Sequence, residues 1–354
     1  MRVLVLNPGS STLKWRLIDT VAGRLDGGTA EHVADGGVAE AARQAVERCP
    51  RPLDAVACRV VHGGGIFTEP TRVEAGVRAE VRELGRLAPL HNPVAADILD
   101  ALQTLLPGVP CWAVFDTAFH ATLPEEAWRY ALPRELALRR YGFHGISHQH
   151  VSRRLEELAG GTRHVVLHLG NGCSACAVRD GKSIDTSMGL TPNEGLPMGT
   201  RSGDIGPDAV LALARERGID QAERTLTRES GFKGLAGTSE VRELLARGDP
   251  EARFALDHFA YRLRKTVGAY AATLEGLDAL AFTGGIGEHA APVRESVCTA
   301  LGWLGVRLDR EANARAKGEA RITSADSPVP VWVIPADEEA EIARQVAAAP
   351  DASR

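Results

Sequence analysis

The sequence lacks an apolar run of the roughly 18 residues that a membrane-spanning helix needs, and its first residues are too short an apolar stretch for a signal peptide. We therefore expect a cytoplasmic protein without a membrane partner. Neither sign of charge dominates, since the formal net charge is -5 and the pI is near 6.1, which argues against nucleic acid as a partner. The 354 residues are enough for two domains.

Cysteine is also sparse, with six residues spread along a chain too long to need disulfides, so we expect reduced thiols. Cys173 and Cys176 form one Cys-x-x-Cys, but no second pair or suitably spaced histidine completes a zinc site. His144 and His148 have the spacing of a zinc-binding helix, but nearby glycines argue against helical order. Zinc or redox chemistry is therefore the minor alternative to a structural role.

A strand, turn and strand pattern occurs twice. Arg2 to Leu6 and Leu13 to Ile18 flank the first turn, and Val165 to Leu169 and Ala175 to Val178 flank the second. Each copy opens a mixed run of strands and helices, which predicts a duplicated α/β unit. Because no proline- or serine-rich linker marks a boundary, we draw it from the predicted architecture. One domain is placed at residues 1–120 plus 340–354, and the other at residues 121–339.

Apolar residues at three and four spacing predict the helices, and short apolar runs predict the later strands. Gly284 to Gly287 is expected to be a tight turn between a strand and a helix. The predicted helices are Val38 to Arg48, Val77 to Ala88, Pro93 to Leu106, His148 to Ala159, Pro207 to Arg217, Pro250 to Leu274, Ala291 to Leu301 and Glu338 to Ala348, and the later strands are Ala279 to Thr283 and Val329 to Ile334.

Two glycine-bearing turns have the residues of a phosphate site. The segment from Asn7 to Lys14 combines a glycine, three hydroxyl side chains and a lysine, in a chain with only five lysines. Thr283 to Glu288 places glycines between a buried strand and a helix, where a nucleotide phosphate is favoured. Arg59 and Arg201 lie in glycine-bearing loops, and arginines in such segments indicate recognition of an anion. Ordinary packing turns and solvated arginines are the alternative interpretation.

These segments together resemble the acetate kinase family of the acetate and sugar kinase, heat-shock chaperone and actin superfamily. The resemblance extends from Arg2 to about Arg344. It is carried by seven segments in matching order, which are Asn7 to Lys14, Arg59 to Gly64, Phe115 to His120, Tyr141 to His148, His168 to Gly172, Gly181 to Asp204 and Thr283 to Glu288. It implies two ribonuclease-H-like domains with an active-site cleft between them, usually in a homodimer.

The resemblance also implies roles for individual residues. Asn7 and Glu338 would hold Mg²⁺, with Mn²⁺ as an alternative ion, and Asp116, His144 and Arg201 would be catalytic. Arg59 would bind the acyl substrate in a pocket made by Val61, Leu90, Phe143 and Pro192. The residues implied to contact ATP are Lys14, His168, Leu169, Gly170, Asn171, Gly172, Glu240, Val241, Arg242, Gly285, Ile286, Gly287, Glu288 and His289.

The expected reaction is the reversible conversion of ATP and acetate to ADP and acetyl phosphate. Because a carboxylate is already ionised at pH 7, the obstacle is charge repulsion, which cations relieve. Val61 and Phe143 suggest a pocket for about one methyl group, so acetate is preferred over propionate or butyrate. Glu240 and His289 depart from the family pattern and leave a phosphoryl donor other than ATP open. A nucleotide-driven binding protein on the same fold is the alternative from another class.

Overall fold

The protein is described here by a computed structural model that covers residues 1–9, 12–31 and 37–350. Ser10 and Ser11 of the first predicted phosphate turn lie outside the described residues. The chain forms two compact units. Unit 1 comprises residues 1–121, 143–147 and 337–354, and unit 2 comprises residues 122–142 and 148–336. The domain limits that we inferred from the sequence remain a prediction.

Unit 1 is built on a six-stranded mixed sheet with the strand order β3-β2-β1-β4-β6-β5. The first three strands are antiparallel, β1, β4 and β6 run parallel, and β5 is antiparallel to β6. The strands and helices of unit 1 are β1 (Arg2–Pro8), β2 (Thr12–Asp19), β3 (Gly23–Glu31), α1 (Val38–Arg48), β4 (Ala55–Val60), β5 (Thr71–Arg72), α2 (Ala75–Glu83), α3 (Asn92–Leu105), β6 (Cys111–Phe115) and α14 (Glu338–Ala348).

The unit 1 sheet is covered on both faces because β1 is apolar on both. Leu4 and Leu6 pack into a core with α1 and α3. Val3 and Val5 point to the opposite face, as alternate strand residues must, and pack with Ile342 and Val346 of α14. The last helix of the chain is thereby fixed against the first strand.

Unit 2 has a sheet with the order β11-β12-β10-β7-β8-β9, and β7, β10 and β12 run parallel. Its strands are β7 (Arg163–Leu169), β8 (Cys173–Arg179), β9 (Lys182–Thr186), β10 (Ala279–Thr283), β11 (Ala320–Arg321) and β12 (Val331–Val333). The remaining helices are α4 (Glu125–Trp128), α5 (Gly145–Ala159), α6 (Pro207–Arg217), α7 (Ile219–Arg228), α8 (Gly231–Ala236), α9 (Val241–Arg247), α10 (Pro250–Thr273), α11 (Gly284–His289), α12 (Ala291–Thr299) and α13 (Arg310–Arg315).

The two sheets have the same topology. In each, three antiparallel strands are followed by two parallel strands and a short antiparallel edge strand. The predicted α/β fold class with a duplicated unit is confirmed. The predicted tight turn from Gly284 to Gly287 is wrong, because these residues open the short helix α11. Gly284, at φ 76°, makes the sharp entry into that helix.

Helices α6, α1 and α14 begin and end where the sequence predicts, whereas α5 begins three residues earlier than expected, at Gly145. Over the residues that the structure describes, no helix combines the length and the apolar character needed to cross a bilayer.

Candidate active site

The carboxyl ends of the parallel strands carry the polar residues of unit 1. Asn7 lies near the end of β1, Arg59 near the end of β4, and Asp116 directly follows β6. Because these three strands are adjacent and parallel, their ends meet at one edge of the sheet. The amino-terminal end of α14 lies on this side of the sheet and adds Glu338 and Glu339, with Asp337 capping the helix through the Ala340 N–H at 3.0 Å.

These side chains form one hydrogen-bonded network. Arg59 donates from Nε to Asp116 Oδ1 at 3.1 Å, donates from Nη2 to Asp116 Oδ2, and lies 3.9 Å from a Glu338 carboxylate oxygen. Its Nη1 donates to Asn7 Oδ1 at 3.3 Å. The Asn7 amide nitrogen donates to Glu338 at 3.0 Å and to Glu339 at 2.8 Å. We refer to Asn7, Arg59, Asp116, Glu338 and Glu339 as the unit 1 network.

Burial strengthens the electrostatic interactions between the charged groups of this network. The Asp116 side chain is 1% exposed and that of Arg59 is 13% exposed. Burial raises the pKa of Asp116 above its ordinary value, and the nearby Arg59 guanidinium opposes that rise. Burial also lowers the pKa of Arg59, but the carboxylates of Asp116 and Glu338 outweigh it and raise that pKa overall. Arg59 is therefore permanently charged and oriented before any substrate arrives.

The donor set of the unit 1 network suits a hard divalent cation. It offers an amide oxygen and three carboxylates, and only one guanidinium lies within the network to balance them. Mg²⁺ prefers oxygen ligands and is commonly held by one or two carboxylates together with substrate phosphates. In the described ranges, no group of three or more His, Cys, Asp or Glu side chains has the arrangement of a complete metal site. The residues thus fit a cation that is completed by a phosphate ligand.

Lys14 lies at the same edge of the unit 1 sheet as Asn7. It pairs with Asn7 across β1 and β2, and directly opposed residues of antiparallel strands point to one face. Its side chain is exposed. Lys14 is therefore available to an anion near the unit 1 network.

The loop before α5 places His144 beside the Asp116 backbone. His144 has a left-handed backbone with φ 57°, and the next N–H, of Gly145, donates to the Asp116 carbonyl at 2.9 Å. A Cβ at Gly145 would lie 2.1 Å from that oxygen, so the approach requires glycine. The Phe143 carbonyl accepts a hydrogen bond from the His120 ring Nε2–H at 3.0 Å. Burial lowers the pKa of His120 to about 4, so this ring is neutral near pH 7.

The predicted acyl-pocket residues are only partly brought together. Phe143 is buried and packs edge-on against His62, at 5.4 Å between ring centroids, and Val61 precedes that histidine. Leu90 is 61% exposed. Pro192 belongs to unit 2, where its carbonyl accepts from Arg201 Nη1 at 2.9 Å. The acyl pocket as a whole remains a prediction.

Unit 2 carries a cavity of about 470 Å³ at the carboxyl ends of its parallel strands. This volume is within the range of small-molecule sites. Eight of the residues predicted to contact a nucleotide line it, and they come from the turn after β7, the start of α9, and α11. The lining residues are Gly170, Asn171, Ser239, Glu240, Val241, Arg242, Glu243, Leu245, Gly285, Ile286, His289 and Ala290. We refer to this space as the unit 2 cavity.

The other predicted nucleotide residues of unit 2 adjoin the cavity-lining residues along the chain. Leu169 and Gly287 are buried, while His168 and Gly172 flank the turn after β7. Glu288 accepts from the Gly284 N–H and the Ala336 N–H, both at 3.1 Å, and so holds the start of α11. Sequence reasoning missed Ser239, Glu243, Leu245 and Ala290 in the cavity and Glu339 in the unit 1 network. Ser239, Glu243 and Ala290 adjoin predicted residues, and Leu245 lies three positions after Arg242. The acidic first turn of α14 was the available signal for Glu339.

Arg201 lies on a loop tied to the cavity. The Gly199 N–H donates to the Asn171 carbonyl at 3.1 Å, and Arg201 donates to the Pro192 carbonyl. Burial lowers the pKa of Arg201, and Cys173 is the lesser, opposing influence. In the part of the chain that the structure describes, no ion pair is formed by this guanidinium. A partly desolvated arginine without a carboxylate partner is suited to an anionic ligand.

An arginine and carboxylate network at one sheet edge and a nucleotide-sized cavity at the equivalent edge of a duplicated sheet define a two-unit α/β phosphotransferase. The chain belongs to the acetokinase family, whose profile matches residues 36–344. An acetate kinase of Leifsonia xyli subsp. xyli (strain CTCB07) is 48% identical, and the match covers 97% of each chain. The family that the sequence resembles is thus confirmed.

Two solved structures of similar proteins share the whole fold. Porphyromonas gingivalis acetate kinase has a TM-score of 0.90 at 38% identity, and the match covers 97% of this chain and 98% of that one. A propionate kinase from Francisella tularensis subsp. tularensis SCHU S4 has a TM-score of 0.88 at 37% identity, with the same coverage. The family therefore includes relatives named for two different acyl substrates.

Proposed function

We propose that this chain catalyses the reversible transfer of a phosphoryl group from ATP to acetate, giving ADP and acetyl phosphate, in the cytoplasm. The nucleotide would bind in the unit 2 cavity, and the acceptor carboxylate would be bound by Arg59 of unit 1. The observation that carries the proposal is the unit 1 network, in which a buried arginine is oriented by two bonds to one carboxylate in a chain of this family.

The physical problem of this reaction is the approach of two anions, because acetate and ATP are both negatively charged at pH 7. Asn7 and Glu338 would hold Mg²⁺, or Mn²⁺ as an alternative, and the ion when bound would offset charge on the phosphates. Arg59 would bind the acetate carboxylate. Lys14, His144 and Arg201 would stabilise charge on the phosphoryl group. Each such contact can supply about 3 kcal/mol of transition-state stabilisation.

We propose that Asp116 acts mainly by orienting Arg59 and groups bound near it. Acetate has no proton to lose at neutral pH, so the reaction needs no strong base. The two hydrogen bonds from Arg59 engage both carboxylate oxygens of Asp116, which favours a fixed ion pair over a proton acceptor. An Asp116→Asn variant that retained normal turnover would contradict this role.

Acetate is the preferred acyl substrate in this proposal, and propionate is the principal alternative because a relative of similar fold is named a propionate kinase. A pocket wall discriminates one methylene by only about 1–3 kcal/mol, so propionate is expected to react more slowly but measurably. The nucleotide donor remains open because Glu240 and His289 line the unit 2 cavity and depart from the family pattern.

A hydroxamate assay for acyl phosphate tests the whole proposal. Acetate, propionate and butyrate are each combined with ATP, GTP and pyrophosphate, with and without Mg²⁺. We expect acetate with ATP and Mg²⁺ to give the highest rate. If no combination formed acyl phosphate, the proposed function would be wrong, and the chain would be better interpreted as a nucleotide-driven binding protein.

We also propose a homodimer, paired through α6 and α7. Helix α6 has no buried residue, and Ile205, Leu211 and Ile219 are 46%, 48% and 77% exposed. A short helix with so little packing is marginal by itself. Asp208 lies in the first turn of α6 and arginines lie in its last turn, so a second copy packed antiparallel would place opposite charges together.

Light scattering tests the dimer. We expect a dimer for the unmodified chain and a shift toward monomer for Leu211→Glu. The matched control is Val21→Glu, at a 92% exposed position of unit 1, which should leave the mass unchanged. A monomeric unmodified chain would contradict the dimer, and a dimeric Leu211→Glu variant would contradict this surface.

A further inference from the structure

Arg294 on α12 is a buried arginine whose role the reaction described above does not explain. Its side chain is among the largest in the fully buried set, at 1% exposure. Among the described residues, no carboxylate lies within ion-pair distance of its guanidinium, and all its acceptors are amide or carbonyl oxygens. A buried charge is costly unless hydrogen bonds compensate it, so its position requires a reason.

The guanidinium of Arg294 caps the carboxyl end of α11. Its Nη1 donates to the Gly287 carbonyl and to the Glu288 carbonyl, both at 2.9 Å. In a continuing helix the Glu288 carbonyl would accept from the N–H four residues later, but that residue is Pro292, which has no N–H. Arg294 therefore supplies a donor that the sequence withholds, and its charge suits the negative end of a helix.

Asn313 on α13 holds Arg294 in this position. Arg294 donates from Nε to the Asn313 side-chain oxygen at 2.8 Å and from Nη2 to the Asn313 carbonyl at 2.7 Å. The Asn313 amide in turn donates to the Ala291 carbonyl at 3.0 Å. Arg294 and Asn313 thus link α11 to α12 and α13 through a buried network in which both side chains are engaged.

Helix α11 forms part of the wall of the unit 2 cavity, since Gly285, Ile286 and His289 line it. Three of the six residues of α11 are glycine, so the helix has little rigidity of its own. We infer that Arg294 is a positioning residue that fixes α11 in the geometry that binds the nucleotide. This inference rests on the proposed nucleotide role of the unit 2 cavity.

The test compares Arg294→Gln and Arg294→Lys with the unmodified full-length chain. Calorimetric titration gives the Kd for ADP, and steady-state kinetics gives the KM for ATP and for acetate. We expect Arg294→Gln to raise the ADP Kd and the ATP KM by about tenfold, because small misplacements of binding groups have effects of this size or larger. The acetate KM should stay within about twofold, since Arg59 is in the other unit. Arg294→Lys keeps a donor and should recover part of the loss.

The matched control is Arg310→Gln. Arg310 joins α13 to Glu295 of α12 at 3.2 Å on the surface, and among the described residues it forms no ion pair with α11. It should leave ADP binding unchanged. Asn313→Ala is a second variant, which keeps Arg294 but removes the side-chain acceptor at Nε, and it should weaken ADP binding by a smaller factor in the same direction.

The outcomes separate the inference from the proposed function. If the unmodified chain binds no ADP, the nucleotide role of the cavity is wrong and the inference falls with it. If the unmodified chain binds ADP and the folded fraction of the Arg294 and Asn313 variants binds it equally well, Arg294 has only a structural role and the inference alone is overturned. The inference is also overturned if Arg294→Gln raises the acetate KM by the same factor as the ADP Kd. It is likewise overturned if Arg310→Gln weakens ADP binding as much as Arg294→Gln does.

Discussion

Replacing Arg59 with methionine is expected to destabilise unit 1 more than replacing Asp116 with asparagine. The first change leaves the Asp116 carboxylate, at 1% exposure, without its cation. Breaking a buried ion pair in this way costs about 3–5 kcal/mol. The second change preserves shape, and Arg59 keeps Asn7, the Pro8 carbonyl at 3.3 Å and Glu338 at 3.9 Å. We expect a cost of about 1.5–3 kcal/mol, the range for a hydrogen bond to a charged group.

The same reasoning fixes the sign of a pH effect. Burial already raises the pKa of Asp116 in the folded chain, and loss of the Arg59 charge removes the main influence that lowers it. An acid whose folded-state pKa is raised holds its proton more firmly when folded, so stability is lost as the pH rises through that pKa. The penalty of Arg59→Met should therefore be smaller at pH 5 than at pH 7.5, whereas that of Asp116→Asn should depend less on pH.

Hydrogen exchange of the β1, β4 and β6 amides provides the assay, because it reports the stability of unit 1 separately from that of unit 2. The control is Arg43→Met, which removes an exposed arginine of α1 and should cost less than about 1 kcal/mol. Equal costs for the two network variants at pH 7.5, or a pH-independent cost for Arg59→Met, would refute the account of a charge held by its partner.

Four further predictions follow from the site. Arg201→Ala should lower kcat far more than it weakens ADP binding, as steady-state kinetics and calorimetric titration would show. Near-normal turnover would contradict the role of Arg201. Val61→Ala should raise the propionate to acetate ratio of kcat/KM, and an unchanged ratio would mean that the pocket lies elsewhere. Gly145→Ala should lower the unfolding temperature, at a cost of about 1–3 kcal/mol, because its Cβ would meet the Asp116 carbonyl; an unchanged melting curve would refute that contact. Removal of divalent ions by EDTA should abolish acyl phosphate formation until Mg²⁺ is restored, and retained activity would exclude the metal from the mechanism.

Local patterns were sufficient for the regular elements. The bounds of α1, α6 and α14 follow from helical periodicity with a glycine, a proline or an acidic first turn at the start. The bounds of β10 follow from a short, continuous apolar run. They were not sufficient for β3, which contains three glycines and polar residues and is a strand because β2 pairs with it. Helix α11 was mistaken for a turn because its glycines oppose helix formation, and the arginine that caps it comes from the next helix.

By itself the sequence determined the duplicated α/β pattern, the family, and the identity of most residues at the two sheet edges. Only the tertiary structure decided which of those residues meet. Asn7, Arg59, Asp116 and Glu338 are separated by up to 331 positions along the chain, and they share one network because parallel strands end at a common edge and α14 packs on β1. The buried bonds of Arg294 are of the same kind, since burial and long-range partners have no local pattern from which they can be read.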